Sequence, residues 1–443
     1  MTEFRHVISE RDTNILFMAE INSPENPSWG SRSGYNHELL GRAYTNLLST
    51  AGEAKETDFY RLRWWVGLTA DVSNAARPEG SGLPIINLKA GWQKGKLSLK
   101  PPVEYQFYCW QAVAHNAGIK APTYGLMQNM PDPRTNSMIG DVFEFMEAHD
   151  KYMTGLKRVA PVALVWPDEG KLEPLREELL GLYRAMSSRH VMFDLVYADR
   201  IPDNIAERYK VVVVPSAAIL DETAIESLID FVENGGRLVL TEGLPEKAMS
   251  GNLARFIGGE WTGDLYRSDY AIPARMPGAS ESVPGPIRLF GKVRYVVPPQ
   301  ASHTWYYSSP TSGAGFLPEI FPFLEKGDRS IVFSASVGKG QVVYCAGSLG
   351  TMMWQNDLPD YTTILDRMIY SDPSEGVMTT DAPDTVQITM YRANFGRVVH
   401  MVNATGTAPL NRVVPVGPIK IDFMGKRAKE YVWYEPGRAS IGV

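Results

Sequence analysis

Cysteine is scarce, with only Cys109 and Cys345 in 443 residues. The two lie far apart in apolar strings and are read as buried reduced thiols rather than a disulfide framework. No Cys/His spacing suits a structural zinc site, and neither a metal nor a cofactor is expected. No apolar run reaches the length of about 18 residues that a membrane helix needs. Met1–Glu10 is polar and lacks an apolar signal core. A cytoplasmic protein with no membrane partner is the expectation. Basic character is also missing. The net charge is -6, the pI is near 5.8, and no run of five Lys/Arg occurs. Nucleic acid is therefore excluded as a partner, because phosphate binding needs a basic surface. No P-loop or G-x-G-x-x-G follows a strand. Gly313-Ala314-Gly315 and Gly338-Lys339-Gly340 fall in a loop and a hairpin turn, which excludes nucleotide binding.

What is present is a chain long enough for two to four domains, each with its own core. Aromatic residues reach 11%, a level that either sugar-stacking surfaces or ordinary cores produce. The clearest pattern begins at Ala160. Pro161–Trp166 is a short apolar run suited to a strand buried on both faces. A helical stripe follows over Leu172–Met186, then strands at Val191–Val196 and Lys210–Val214. Asp221 is placed to cap a helix whose stripe is Ile225, Leu228, Ile229 and Val232, and Gly235-Gly236 ends it. Arg237–Thr241 gives a fourth strand. Strands and helices alternating at this pitch predict right-handed crossovers and a doubly wound parallel sheet.

Gly258–Pro322, rich in Pro, Gly and Ser, reads as irregular loops and edge strands. Ser330–Ser336 and Gln341–Ala346 read as a hairpin returning to the sheet, and Tyr361–Tyr370 as a closing helix. After Asp372-Pro373 the period becomes two, over Val386–Tyr391, Val398–Asn403, Ile419–Phe423 and Glu430–Tyr434, which predicts a small antiparallel β domain. In the first 157 residues, strands are expected at Asn14–Ile21, Leu83–Leu88 and Pro122–Met127. Helices are expected at Tyr105–Ala117 and Val142–Leu156. That amounts to two or three βα units of a parallel fold.

Several stretches carry a family resemblance. Lys210–Gly243 (KVVVVPSAAILDETAIESLIDFVENGGRLVLTEG) and Val337–Gly350 (VGKGQVVYCAGSLG) resemble the trimerisation domain of glycoside hydrolase family 42 β-galactosidases. Tyr391–Gly406 (YRANFGRVVHMVNATG) resembles the small β domain that closes such chains, and Lys100–Gly118 resembles their last barrel helix before strand eight. The resemblance implies three parts. Residues 1–157 are the C-terminal part of a (β/α)8-type barrel, entered near strand six. Residues 158–372 are a flavodoxin-like, class I amidotransferase-like domain of the trimerisation type. Residues 373–443 are the small antiparallel β domain. It further implies a carbohydrate ligand and self-association, most simply as a trimer. A complete barrel takes about 250 residues, so a hetero-oligomer with a chain supplying further strands is the other assembly expected.

The chemistry is weighed residue by residue. Amidotransferases of that fold need a Cys nucleophile after the third strand. The turn here reads Val214-Pro215-Ser216-Ala217-Ala218, and no G-x-S-x-G elbow surrounds Ser216. Glycoside hydrolysis usually needs two carboxylates. The resemblance implies a nucleophilic Glu on strand seven, but the matching LPIINLKAGW (Leu83–Trp92) offers Lys89 there. Glu20, at a strand C-terminus where barrels carry function, is the remaining candidate catalytic group. Trp29 and His37 lie in the loop after it. Trp92 with Lys89 forms a candidate sugar platform, since an indole face packs on C–H-rich sugar surfaces. Gln128 and Asn129 are candidate hydrogen-bonding groups, with a polar loop as the alternative. His115, within a helix, reads as a packing residue. Two functions follow: a hydrolase-like protein acting on β-galactoside-type carbohydrate, or a non-catalytic assembly or carbohydrate-binding subunit.

Overall fold

The computed structural model describes residues 6–7, 10–12, 18–22, 47–51, 63–76, 81–85, 100–121, 134–201, 205–242, 257, 260–266, 270–275, 284–289, 293–309, 326–407, 410–424, 431–435 and 438–442. The chain divides into two compact units, one of residues 1–159 with 372–443 and the other of 160–371. The first stretch runs β1 (Met18–Asn22), β2 (Leu47–Ala51), α1 (Trp65–Ala76), β3 (Ser81–Ile85), α2 (Pro102–Ala114), α3 (Arg134–Ala148) and β4 (Lys157–Arg158). Next come β5 (Val162–Trp166), α4 (Glu169–Ser188), β6 (Phe193–Tyr197), β7 (Val211–Val214), α5 (Glu222–Glu233) and β8 (Arg237–Leu240). They are followed by β9 (Glu260–Tyr266), β10 (Ala271–Pro273), β11 (Val293–Val297), β12 (Ser302–Ser308), β13 (Ser330–Val337) and β14 (Gly340–Cys345). Helices α6 (Leu349–Asn356) and α7 (Pro359–Ile369) close that unit. The last stretch holds β15 (Met378–Thr380), β16 (Val386–Ala393), β17 (Gly396–Asn403), β18 (Ile421–Phe423), β19 (Tyr431–Glu435) and β20 (Arg438–Gly442).

The 160–371 unit is built on an eight-stranded sheet in the order β10-β12-β13-β14-β8-β7-β5-β6. Its five strands from β14 to β6 run parallel, and β13, β12 and β10 continue it antiparallel. Numbered by chain order, the parallel strands lie 2-1-3-4-5, the flavodoxin-like order. The α/β doubly wound expectation holds. Every residue of β5 and β7 is buried, as strands covered on both faces require. Asp221 caps α5 as its position predicts, its carboxylate accepting from the Ala224 amide at 2.8 Å. The stretch read as irregular loops and edge strands, Gly258–Pro322, contains β9 to β12; β10 is the edge strand of the main sheet, and β12 lies one place further in. Its register against β13 shifts twice, between Thr304 and Tyr306 and again between Tyr306 and Tyr307. Those bulges break the alternation that would have marked a strand.

In the other unit, β1, β2 and β3 form a parallel sheet in chain order. The remaining sheets are antiparallel: β17-β16-β4, β15 with β18, and β19 with β20. Strand β2 and helix α1 were not expected. Eleven of the twelve α1 residues are buried, polar Thr69, Asp71 and Ser73 among them, and a helix buried on all sides shows no amphipathic stripe. Helix α3 starts at Arg134 and ends at Ala148, earlier at both ends than its pattern suggested. The expected strand Pro122–Met127 lies outside the described residues. Arg158, expected to open the middle domain, pairs through β4 with Tyr391 of β16.

Candidate functional site

The parallel strands β1, β2 and β3 end level, with Asn22 beside Ala51 and Ala51 beside Ile85. Glu20 sits two residues inside that edge, in register with Ser49 and, through it, with Leu83. The C-terminal edge of such a sheet is where α/β folds carry chemistry. Trp29, His37, Lys89, Trp92, Gln128 and Asn129 lie outside the described residues.

Behind these strands α1 packs against α2, and a buried polar cluster fills the joint with β4, β16 and β17. Asp71 of α1 is 2% exposed. Its Oδ1 meets His115 Nδ1 at 2.8 Å and accepts from the Arg158 guanidinium, whose Nη2 reaches Oδ2 at 3.4 Å. Burial alone would raise this carboxyl. The charges of Arg158 and His115, with their hydrogen bonds, outweigh it and hold the value at about 2. His115 follows the last residue of α2, and its carbonyl accepts from Asn74 at 2.9 Å. Its ring lies on the α1 backbone at Gly67, where a Cβ would stand 2.6 Å from Nε2. The Ala114 carbonyl, which has no helical donor, accepts from Thr389 Oγ1 at 2.5 Å and Tyr391 Oη at 2.8 Å. His400 lies against Tyr391, ring centroids 5.6 Å apart. Burial, then the nearby His115, pushes its pKa down to about 4, so it is neutral at pH 7. The Nε2 atoms of His115 and His400 have no hydrogen-bond partner among the described residues. His115 is thus a buried packing residue, hydrogen-bonded through Nδ1 to Asp71.

The 160–371 unit has its own buried acid. Glu178 of α4 accepts from Thr241 Oγ1 at 2.6 Å, from the Thr351 amide at 2.7 Å and from Thr351 Oγ1 at 3.2 Å. Burial raises its pKa while these hydrogen bonds oppose the rise. The carboxylate thereby satisfies free amide donors at the start of α6, a structural task. Ser216 accepts from the Ala218 amide at 3.3 Å and is 4% exposed, a local turn. Burial lifts the Cys345 thiol to about 12. Both cysteines are free and buried, and neither environment makes a nucleophile. Asp71, Arg158, His400 and Glu178 were not singled out from the sequence. The hydrogen-bond partners of Asp71, Arg158 and Glu178 lie between 44 and 173 residues away, and no spacing rule spans that distance. Among the described residues no group of three or more His, Cys, Asp or Glu is placed to hold a metal ion. No described helix is long and apolar enough to cross a membrane.

Comparison with known proteins bears on the whole arrangement. Residues 165–269 match the family described as the beta-galactosidase trimerisation domain. Over that segment the chain is similar to glycoside hydrolase family 42 β-galactosidases. No curated protein sequence matches it. Among solved structures, alpha-L-fucosidase isoenzyme 2 from Paenibacillus thiaminolyticus superposes with a TM-score of 0.65 at 15% identity, over 87% of this chain and 59% of that one. Beta-galactosidase from Bacillus circulans sp. alkalophilus gives 0.64 at 14% identity, over 89% and 58%. A GH42 beta-galactosidase from G. stearothermophilus gives 0.62 at 16% identity, over 89% and 59%. At these identities the likeness shows the fold alone. The chain spans under two thirds of the length of each of those solved structures.

Proposed function

We propose that this chain is a glycoside-hydrolase-like protein that acts on or binds β-galactoside-type or related carbohydrates. The observation that carries the reading is an order along one chain. Three parallel strands with level C-terminal edges precede a segment that matches the beta-galactosidase trimerisation domain. Relatives bearing β-galactosidase and α-L-fucosidase names have the same fold. We assign Glu20, two residues inside the C-terminal edge of β1, as the carboxylate that does chemistry. Trp29, His37, Trp92, Gln128 and Asn129 supply sugar contacts. A two-carboxylate mechanism needs a second acid, and Lys89 occupies the position where the resemblance implies one. We therefore assign that second carboxylate to another chain that supplies further barrel strands. Lys89 equally favours the alternative, a non-catalytic assembly or carbohydrate-binding subunit. A cytoplasmic location fits the two free, buried cysteines.

The test is hydrolysis of a panel of aryl β-galactosides and α-L-fucosides by wild type and Glu20→Gln. Loss of about a hundredfold or more in kcat supports Glu20 as catalytic. Unchanged turnover overturns that assignment. Wild type that binds sugar but turns nothing over in its native assembly, with any co-purifying chain present, moves the reading to the binding subunit.

A further inference from the structure

The sheet β17-β16-β4 has two faces that treat charge in opposite ways. One row, Arg158, Tyr391 and Val398 in direct register, turns inward, where Arg158 is neutralised by Asp71. The next row, Lys157 on β4, Arg392 on β16 and Arg397 on β17, is exposed at all three positions. Directly opposed residues on neighbouring strands point to one face with their Cβ atoms about 5 Å apart. Three cations therefore stand side by side. Among the described residues none of the three has an ion-pair partner. Asp422, on the adjoining strand β18, is already held by Lys420 at 2.7 Å. Like charges directly opposed across strands are destabilising, so the row weakens the sheet it sits on.

One aromatic ring flanks the row. The Arg397 guanidinium lies 5.8 Å from the Phe423 ring centroid. Cations for anionic groups and ring faces for C–H surfaces are the two things a charged sugar requires. Strands about 4.8 Å apart repeat close to the rise of one pyranose in an extended chain. Successive cations would thus meet successive sugars. The protein's net charge of -6 and the limit of three cations disfavour a nucleic-acid backbone, which draws on a broad basic surface.

We propose that the Lys157–Arg392–Arg397 row is a binding site for a linear acidic saccharide, one bearing a carboxylate or sulfate on successive sugars. The site goes beyond the hydrolase-like reading and does not depend on it, because binding here needs no catalytic carboxylate and no bond cleavage. Inactive protein that still binds leaves the proposal standing.

The experiment is calorimetric titration of the full chain with a heparin-derived tetrasaccharide, and with neutral cellotetraose as control. Wild type is expected to bind the sulfated probe and not the neutral one. R392Q/R397Q is expected to weaken binding about tenfold or more, with a shallower salt dependence and an unchanged or raised Tm. K157Q, on a different strand, gives the same readout if the double variant does not fold. Equal affinity of the variants, no binding by wild type, or equal binding of cellotetraose overturns the proposal. So does binding of a DNA oligonucleotide or phosphatidylserine vesicles through the same residues as tightly as the tetrasaccharide.

Discussion

Asp71 shows how one residue organises its surroundings. A carboxylate 2% exposed is tolerable only because Arg158 and His115 supply charge and hydrogen bonds to it. Breaking a buried pair leaves an uncompensated charge, which typically costs about 3–5 kcal/mol. Arg158→Met is expected to lose that much in urea unfolding, and Asp71→Asn/Arg158→Met to recover part of it. A loss under about 1 kcal/mol would put the pair among surface ion pairs. Little of this was legible. His115 stood out as a polar residue on an apolar helix, but its partner is 44 positions away. The strand carrying Glu20 was legible from local pattern, but it runs on to Asn22 and leaves Glu20 at its centre rather than its end.

At the scale of elements, helices announce themselves when one face is dry and the other wet. The stripes of α4 and α5 and the cap at Asp221 are local signals, and both helices form where they predict. Helix α1 and strand β12 escaped for different reasons, the first being buried all round, polar residues included, and the second having its register broken by bulges. The contact between α4 and α6 was equally hidden. A Cβ on Gly181 would stand 1.8 Å from the Gly350 carbonyl oxygen, and one on Gly350 would stand 2.1 Å from that of Glu178. Backbone meets backbone there, and the Glu178 carboxylate reaches the first turn of α6 from the same helix face. Gly181→Ala is therefore expected to destabilise by about 1–3 kcal/mol or more. Gly140→Ala, in α3 with nothing within 4 Å, should gain up to about 1 kcal/mol from helix propensity. Thermal unfolding of the two variants measures the contrast. Equal shifts of the same sign would contradict the close approach at Gly181.

At the scale of the molecule the open quantity is the assembly. The segment at 165–269 leads us to expect a native mass of about three times 49.3 kDa by light scattering. A single band at the chain's own mass on a denaturing gel of that peak would mean a homotrimer. A second band in fixed ratio would mean that another chain shares the site, and the second carboxylate should be sought there. A monomeric peak would remove the expected assembly altogether.

Sequence by itself determined the parallel sheet of the middle unit, most of its helix boundaries and the antiparallel character of the C-terminal strands. Each of these follows from the spacing of apolar residues along a few turns of chain or a few pleats of strand. Tertiary structure alone decided which polar residues meet. Asp71 with Arg158, Ala114 with Thr389 and Tyr391, and Lys157 with Arg392 and Arg397 are each joined by strand register or helix crossing. The reason is physical: periodicity is set by the backbone's local geometry, whereas the pairing of distant side chains is set by which surfaces must be buried together.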